Sequence, residues 1–199
     1  MALRVTRILA VSASGLGDHK LKVVRAKDGR FIGEVSGQVR ATLKFSFAEG
    51  FVDIGHFTVE TDQRRRGLCR KFTQQLYLTL EGTAFTKIQL TASFDGRYVW
   101  CLLGFRPTAL SYPQLQSSAK KLLESGEAFG RPVQRQLERL VKANNTELLP
   151  ILCNGSGSVD DPLSPAGVGF RLLTSRSTWK GELLIGNLVD EKHLFSSKK

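Results

Sequence analysis

The segment from residue 51 to 105 limits what this chain can fold into more than any other part of it. Phe51-Val52-Asp53-Ile54-Gly55-His56-Phe57-Thr58-Val59 has the apolar patterning of a strand and runs into Arg64-Arg65-Arg66-Gly67-Leu68-Cys69; from there Leu68, Phe72, Leu76 and Leu80 recur at every fourth residue. That recurrence is one stripe of an amphipathic helix, the face that packs on a sheet, and Gly82 suits its stop. A strand that feeds a cationic glycine turn at a helix start is suited to phosphate. The helix N-terminus offers unpaired N–H groups and the positive end of the helix dipole, Gly67 permits close backbone approach, and three arginines add charge. The expected ligand carries phosphates, and the plain alternative for the same residues is a solvated run of charge.

Within the strand, Ile54 and Phe57 fall on opposite faces of a regular pleat. A bulge at Gly55 puts Ile54, Phe57 and Val59 on one face and turns His56, Thr58 and Glu60 to the other. Upstream, residues 21–25 and 31–35 alternate as strands around Lys27-Asp28-Gly29-Arg30, a tight hairpin turn, and residues 39–47 turn at Ala48-Glu49-Gly50 into the strand over 51–60. The first third is therefore expected to be antiparallel sheet. Downstream, helices are predicted over 113–124 and 132–143, the second closed by Asn144-Asn145. Residues 154–165 read as a flexible or turn-rich connector, and 168–173 with 182–185 as the last strands.

By position, the central segment reads Val59, Thr61, Asp62, Arg64-x-x-Gly67-x-Cys69, then Lys87-Ile88-Gln89-Leu90-Thr91-Ala92, then Tyr98-Val99-Trp100-Cys101-Leu102-Leu103-Gly104-Phe105. These three pieces in this order resemble the Gcn5-related N-acetyltransferases: motif A with its strand, acidic turn and R/Q-x-x-G-x-G/A, the next strand, and a short helix ending in Gly-Phe. The resemblance implies an α/β (α+β) fold, a mixed, mostly antiparallel central sheet flanked by helices. It implies a single domain over 1–199 with its coenzyme-binding core at 51–105, to which a helical insertion at 113–145 and a C-terminal extension are added. The implied activity is transfer of an acetyl group from acetyl-coenzyme A to an amine of a protein or other macromolecular acceptor, an aminoacyl-RNA among them.

The same resemblance assigns residues. The backbone of Phe57 and Val59 pairs with the pantetheine, while the N–H groups of Arg66, Gly67, Leu68 and Cys69 hold the pyrophosphate, with Arg64 and Arg65 adding charge. His56 and Glu60 are the candidate bases, His56 having the better intrinsic pKa; a structural histidine bonded to a neighbour is the competing reading. The family takes its acid from a tyrosine four residues before the Gly of Gly-Phe, where this chain has Trp100, so Tyr98 is the substitute candidate. Cys69 replaces the usual Gly or Ala. Cys69 reads as a buried packing thiol in preference to any redox role; a helix start with neighbouring arginines is nevertheless expected to lower its pKa and make it reactive to alkylating agents. Trp100 and Cys69 also support a second reading, a non-catalytic basic module that holds nucleic acid or acidic protein on a degenerate acetyltransferase fold.

Composition sets the outer limits. The 199 residues are 41% hydrophobic, enough for a real core, and the net charge of +11 makes anions the expected partners. Part of that charge serves solubility, and Lys198-Lys199 form a loose tail. Cys69, Cys101 and Cys153 are irregularly spaced and His19, His56 and His193 form no ligand cluster, so neither a disulfide framework nor a metal site is expected. No run approaches the roughly 18 apolar residues of a membrane span, which points to a cytoplasmic protein without membrane insertion. Zinc-finger spacing, helix-turn-helix and aromatic RNA-binding strand motifs are lacking, which ranks a plain nucleic-acid-binding domain last.

Overall fold

A computed structural model describes residues 1–93, 96–142, 145–174 and 178–196. Along the chain come α1 (Ala2–Ala13), β1 (His19–Arg25), β2 (Phe31–Gly37), β3 (Val39–Ser46), β4 (Phe51–Val59), α2 (Leu68–Leu80) and β5 (Lys87–Ser93). Then follow α3 (Gly96–Leu102), β6 (Arg106–Pro107), α4 (Tyr112–Glu124), α5 (Arg131–Lys142), α6 (Leu148–Cys153), α7 (Pro165–Thr174), β7 (Thr178–Leu184) and α8 (Leu188–Phe195). The fold is α/β, with mixed, mostly antiparallel strands and flanking helices. The chain gathers into two compact units, Met1–Leu90 with Leu184–Lys199, and Thr91–Leu183.

In the first unit, β1 to β4 form an antiparallel meander and β5 joins β4 in parallel, from Phe51↔Lys87 to Ile54↔Leu90. The hairpin at Asp28-Gly29 is held by the Asp28 carboxylate, which accepts from the Arg30 N–H and from its Nε, while Gly29 takes φ +83°. Along β3, Val39, Ala41, Leu43 and Phe45 are buried and Arg40 and Lys44 are exposed, as a half-buried strand requires. Helix α1 is absent from the sequence reading. It buries Val5, Ile8, Leu9 and Ala13, and Leu9 lies so close over Gly33 of β2 that a Cβ there would collide with it. On α2 the expected stripe of Leu68, Phe72, Leu76 and Leu80 is buried, joined by Thr73 and Tyr77. Helix α8, also unanticipated, starts on the Asn187 side chain, which accepts from the N–H groups of Val189 and Asp190; its last carbonyls accept from Arg70 and Gln74.

The second unit holds the end of β5, with the strand order continuing β5-β7-β6, and helices α3 to α7. Its apolar core takes Leu115 and Ala119 from α4, Leu137 and Leu140 from α5, Leu149 and Leu152 from α6, and Val168, Leu172 and Leu173 from α7. Residues 168–173, expected as a strand, are helix α7. The Ser164 hydroxyl accepts from the Gly167 N–H at 3.0 Å, Pro165 takes the first position, and side chains at Gly167 or Gly169 would run into Asp161 and Cys153. A Ser-Pro start outweighs the strand-like look of Val-Gly-Phe. Residues 182–184 do lie in a strand, β7. The connector over 154–165 is a succession of turns, while the expectations for Ala143, Asn144, Lys198 and Lys199 fall outside the described residues.

Candidate functional site

The first unit carries the residues that the sequence singled out around β4. Thr42 pairs with His56 and Leu43 with Ile54, so Gly55 is the extra residue and the bulge is where the mismatched phase of Ile54 and Phe57 demanded it. Ile54 is buried and Phe57 and Val59 are half-buried, whereas His56, Thr58 and Glu60 are exposed on the opposite face. The ladder with β5 ends at Ile54↔Leu90, and β4 runs on along β3 to Val39↔Val59. The Phe57 ring meets Phe72 of α2 at 5.3 Å, which ties this end of the strand to the helix that follows.

After Val59 the chain makes a 3-10 turn, Thr61–Gln63, and enters the arginine loop. Arg65 takes φ +64°, the one non-glycine residue in the left-handed region among the described residues, and Gly67 takes φ +72°. Left-handed residues alternating along a loop are the backbone pattern of anion-binding nests. The N–H groups of Arg66, Gly67, Leu68 and Cys69 have no acceptor among the described residues. Gly67 is the N-cap of α2 and supplies no side-chain cap, the first turn holds no acid, and no atom lies within 4 Å of where a Cβ of Gly67 would point. Arg64, Arg65, Arg66 and Lys71 are exposed beside these groups. Cations at a helix N-terminus oppose its dipole, so this loop gains from a bound anion.

The catalytic candidates divide. His56 is exposed on β4 and Glu60 is exposed just past its end, where Glu60 stands 3.9 Å from the Arg40 guanidinium of β3. Tyr98 belongs to the second unit and is buried there. Its hydroxyl donates to the Cys153 carbonyl at 3.0 Å, its ring stands edge-on to Phe170, and burial pushes its pKa far above the usual tyrosine value. Its proton is thus committed to a structural bond. Trp100, where the resemblance would place an acid, is buried edge-on to Phe105 and packs.

Cys69 corrects the expectation of an activated thiol. Burial pushes its pKa up to about 12, outweighing the hydrogen bond from Thr73 and the charge of Arg70, which act the other way. The direction of the shift fits a packing thiol, here half-buried at the helix start. All three cysteines are free, and among the described residues no three His, Cys, Asp or Glu come together as a metal would need. Among the same residues no helix is long and apolar enough to cross a membrane. Set against models of protein families, curated proteins and solved structures, the chain finds no match in any of the three.

Proposed function

We propose that the chain is an acetyl-coenzyme A-dependent N-acetyltransferase of the Gcn5-related kind, acting on an amine of a protein or other macromolecular acceptor. The observation that carries this reading is the loop from Arg64 to Cys69: two left-handed residues, unengaged N–H groups and exposed arginines at an acid-free helix start. A coenzyme pyrophosphate fits these donors, and Phe57 and Val59 on the continuing strand β4 are the residues to take the pantetheine. In the reaction the acceptor nitrogen bonds to the thioester carbon and the carbon–sulfur bond breaks. His56 takes the proton from nitrogen, with Glu60 as the second candidate. The thiolate takes its proton from water, since the Tyr98 hydroxyl is occupied by Cys153.

The second reading, a binding module without catalysis, is favoured by Trp100 in a packing role and by the engagement of Tyr98. Coenzyme binding separates the two. A ligand that binds only the folded state stabilises it by about 2.7 kcal/mol at a hundredfold excess over Kd, so acetyl-coenzyme A should raise Tm by several degrees. No shift at millimolar coenzyme, with flat calorimetry, removes the transferase reading. A shift without acetyl transfer to any amine leaves the binding module.

A further inference from the structure

Helix α5 buries Val133, Leu137 and Leu140 and exposes Arg131, Arg135, Arg139 and Lys142. Steps of four, four and three residues keep these cations within roughly 80° of arc and spread them over about 16 Å of helix. None of the four has an ion-pair partner among the described residues. The helix's one acid, Glu138, accepts from Gln134 at 3.1 Å.

Helix stability does not account for this row. Arg131 in the first turn opposes the dipole, and Arg131 with Arg135, and Arg135 with Arg139, are like charges four residues apart, where they repel; only Arg139 and Lys142 sit where the dipole welcomes them. Solubility needs charge and no alignment. A row of cations complements a row of anions. Beside it the exposed residues of α5 are Pro132 and Gln134, so the helix offers no aromatic or large aliphatic anchor of the kind that dominates protein interfaces, and no ring on which an unpaired base could stack. Three of the four cations are arginines, whose forked donors fit phosphate oxygens.

We infer that the exposed face of α5 binds the phosphate backbone of a nucleic-acid duplex without reading its bases. The inference rests on the second unit alone and stands whether or not the chain transfers acetyl groups.

The test is fluorescence anisotropy of the full chain with labelled duplex DNA and duplex RNA of two unrelated sequences, titrated over a range of salt. Each phosphate contact contributes about −0.9 to the slope of log K against log salt, so replacing the four cations (R131Q/R135Q/R139Q/K142Q) should flatten the slope by about 3 to 4. It should also weaken binding at least about tenfold at low salt. The two sequences should bind alike, and the tighter of the two duplex types names the source. A control with equal charge loss on the edge strand and its turn, K20Q/K22Q/R25Q/K27Q, should change the slope by less than about 1. Should the fourfold variant unfold, R135E alone must flatten the slope by at least about 1. The inference is overturned by absence of duplex binding at low salt, by an unchanged slope in the α5 variants, by an equal change in the control, or by tighter binding of single strands.

Discussion

Cations gather at two helices of this protein, and the two use them differently. At the start of α2, arginines surround backbone N–H groups exposed by left-handed residues, so the positive character is concentrated at one point and built largely from the main chain. Along α5 the positive character belongs to side chains spread over three turns. A point of backbone donors selects a compact anion such as a pyrophosphate, because its geometry is fixed. A line of flexible side chains selects an extended anion and tolerates variation in its detail. The two sites should therefore fail independently.

The largest expected effect tests whether chemistry accompanies the point site. If His56 is the base, His56→Ala should lower turnover, read as thiol released from acetyl-coenzyme A, by roughly 10²–10⁴-fold with coenzyme affinity little changed. The loss should shrink at high pH, where the amine deprotonates unaided. Undiminished turnover would pass the role to Glu60 or to water.

Cys69 measures how far the positive field of the helix start reaches. With its thiol pushed up to about 12, the thiolate at pH 8 is about 10³-fold scarcer than for an ordinary cysteine, and labelling by an aromatic disulfide should be slower in proportion until the protein unfolds. Fast labelling abolished by Cys69→Ala would mean that dipole and arginines outweigh burial.

Gly67 separates the two sites directly. Gly67→Val adds a branched side chain at φ +72°, which costs about 1–3 kcal/mol of strain and crowds the donors, so coenzyme affinity should fall at least tenfold and Tm by a few degrees. Gly67→Asn tolerates the left-handed backbone and isolates the crowding; Arg64→Ala should be milder than either. Neither Gly67 variant should move the salt slope of duplex binding, and the fourfold α5 variant should keep coenzyme affinity within about twofold. Loss of both properties in one variant would erase the distinction.

How much of this was legible follows from the range of each signal. The meander could be read because alternation and an Asp-Gly turn are local, and the bulge because Ile54 and Phe57 are out of phase within four residues. The loop at Arg64 to Cys69 was visible as composition. The left-handed backbone of Arg65 was not, since a non-glycine residue takes that conformation only when its surroundings impose it. The direction of the Cys69 shift and the bond from Tyr98 to Cys153 depend on burial and on partners far apart in sequence. Helix α1 lacked a start signal, its Met1 cap making no side-chain bond. Helix α7 had one in Ser164-Pro165, but the apolar run behind it looked like a strand.

The smallest expected effect concerns what holds the α4–α5 connection in place. Glu127 receives both Arg171 amino groups at 2.7 Å, joining that connection to α7 within the second unit. The side-chain hydrogen bonds from Arg171 hold the Glu127 carboxyl below its ordinary pKa. A carboxylate with a lowered folded pKa binds fewer protons folded than unfolded, so its stabilisation is fully present above the unfolded value, declines as pH falls, and is gone once the lowered folded value is passed. Glu127→Gln should therefore lower Tm slightly at pH 7, and the difference from the parent should vanish as the pH drops through the carboxylate range. Both side chains are about a third exposed, at 31%, so solvent screening keeps the effect small. A Tm difference that persists at pH 2 would assign the Glu127 contribution to packing, and a changed salt slope in the same variant would show that this connection also sets the placement of the α5 row.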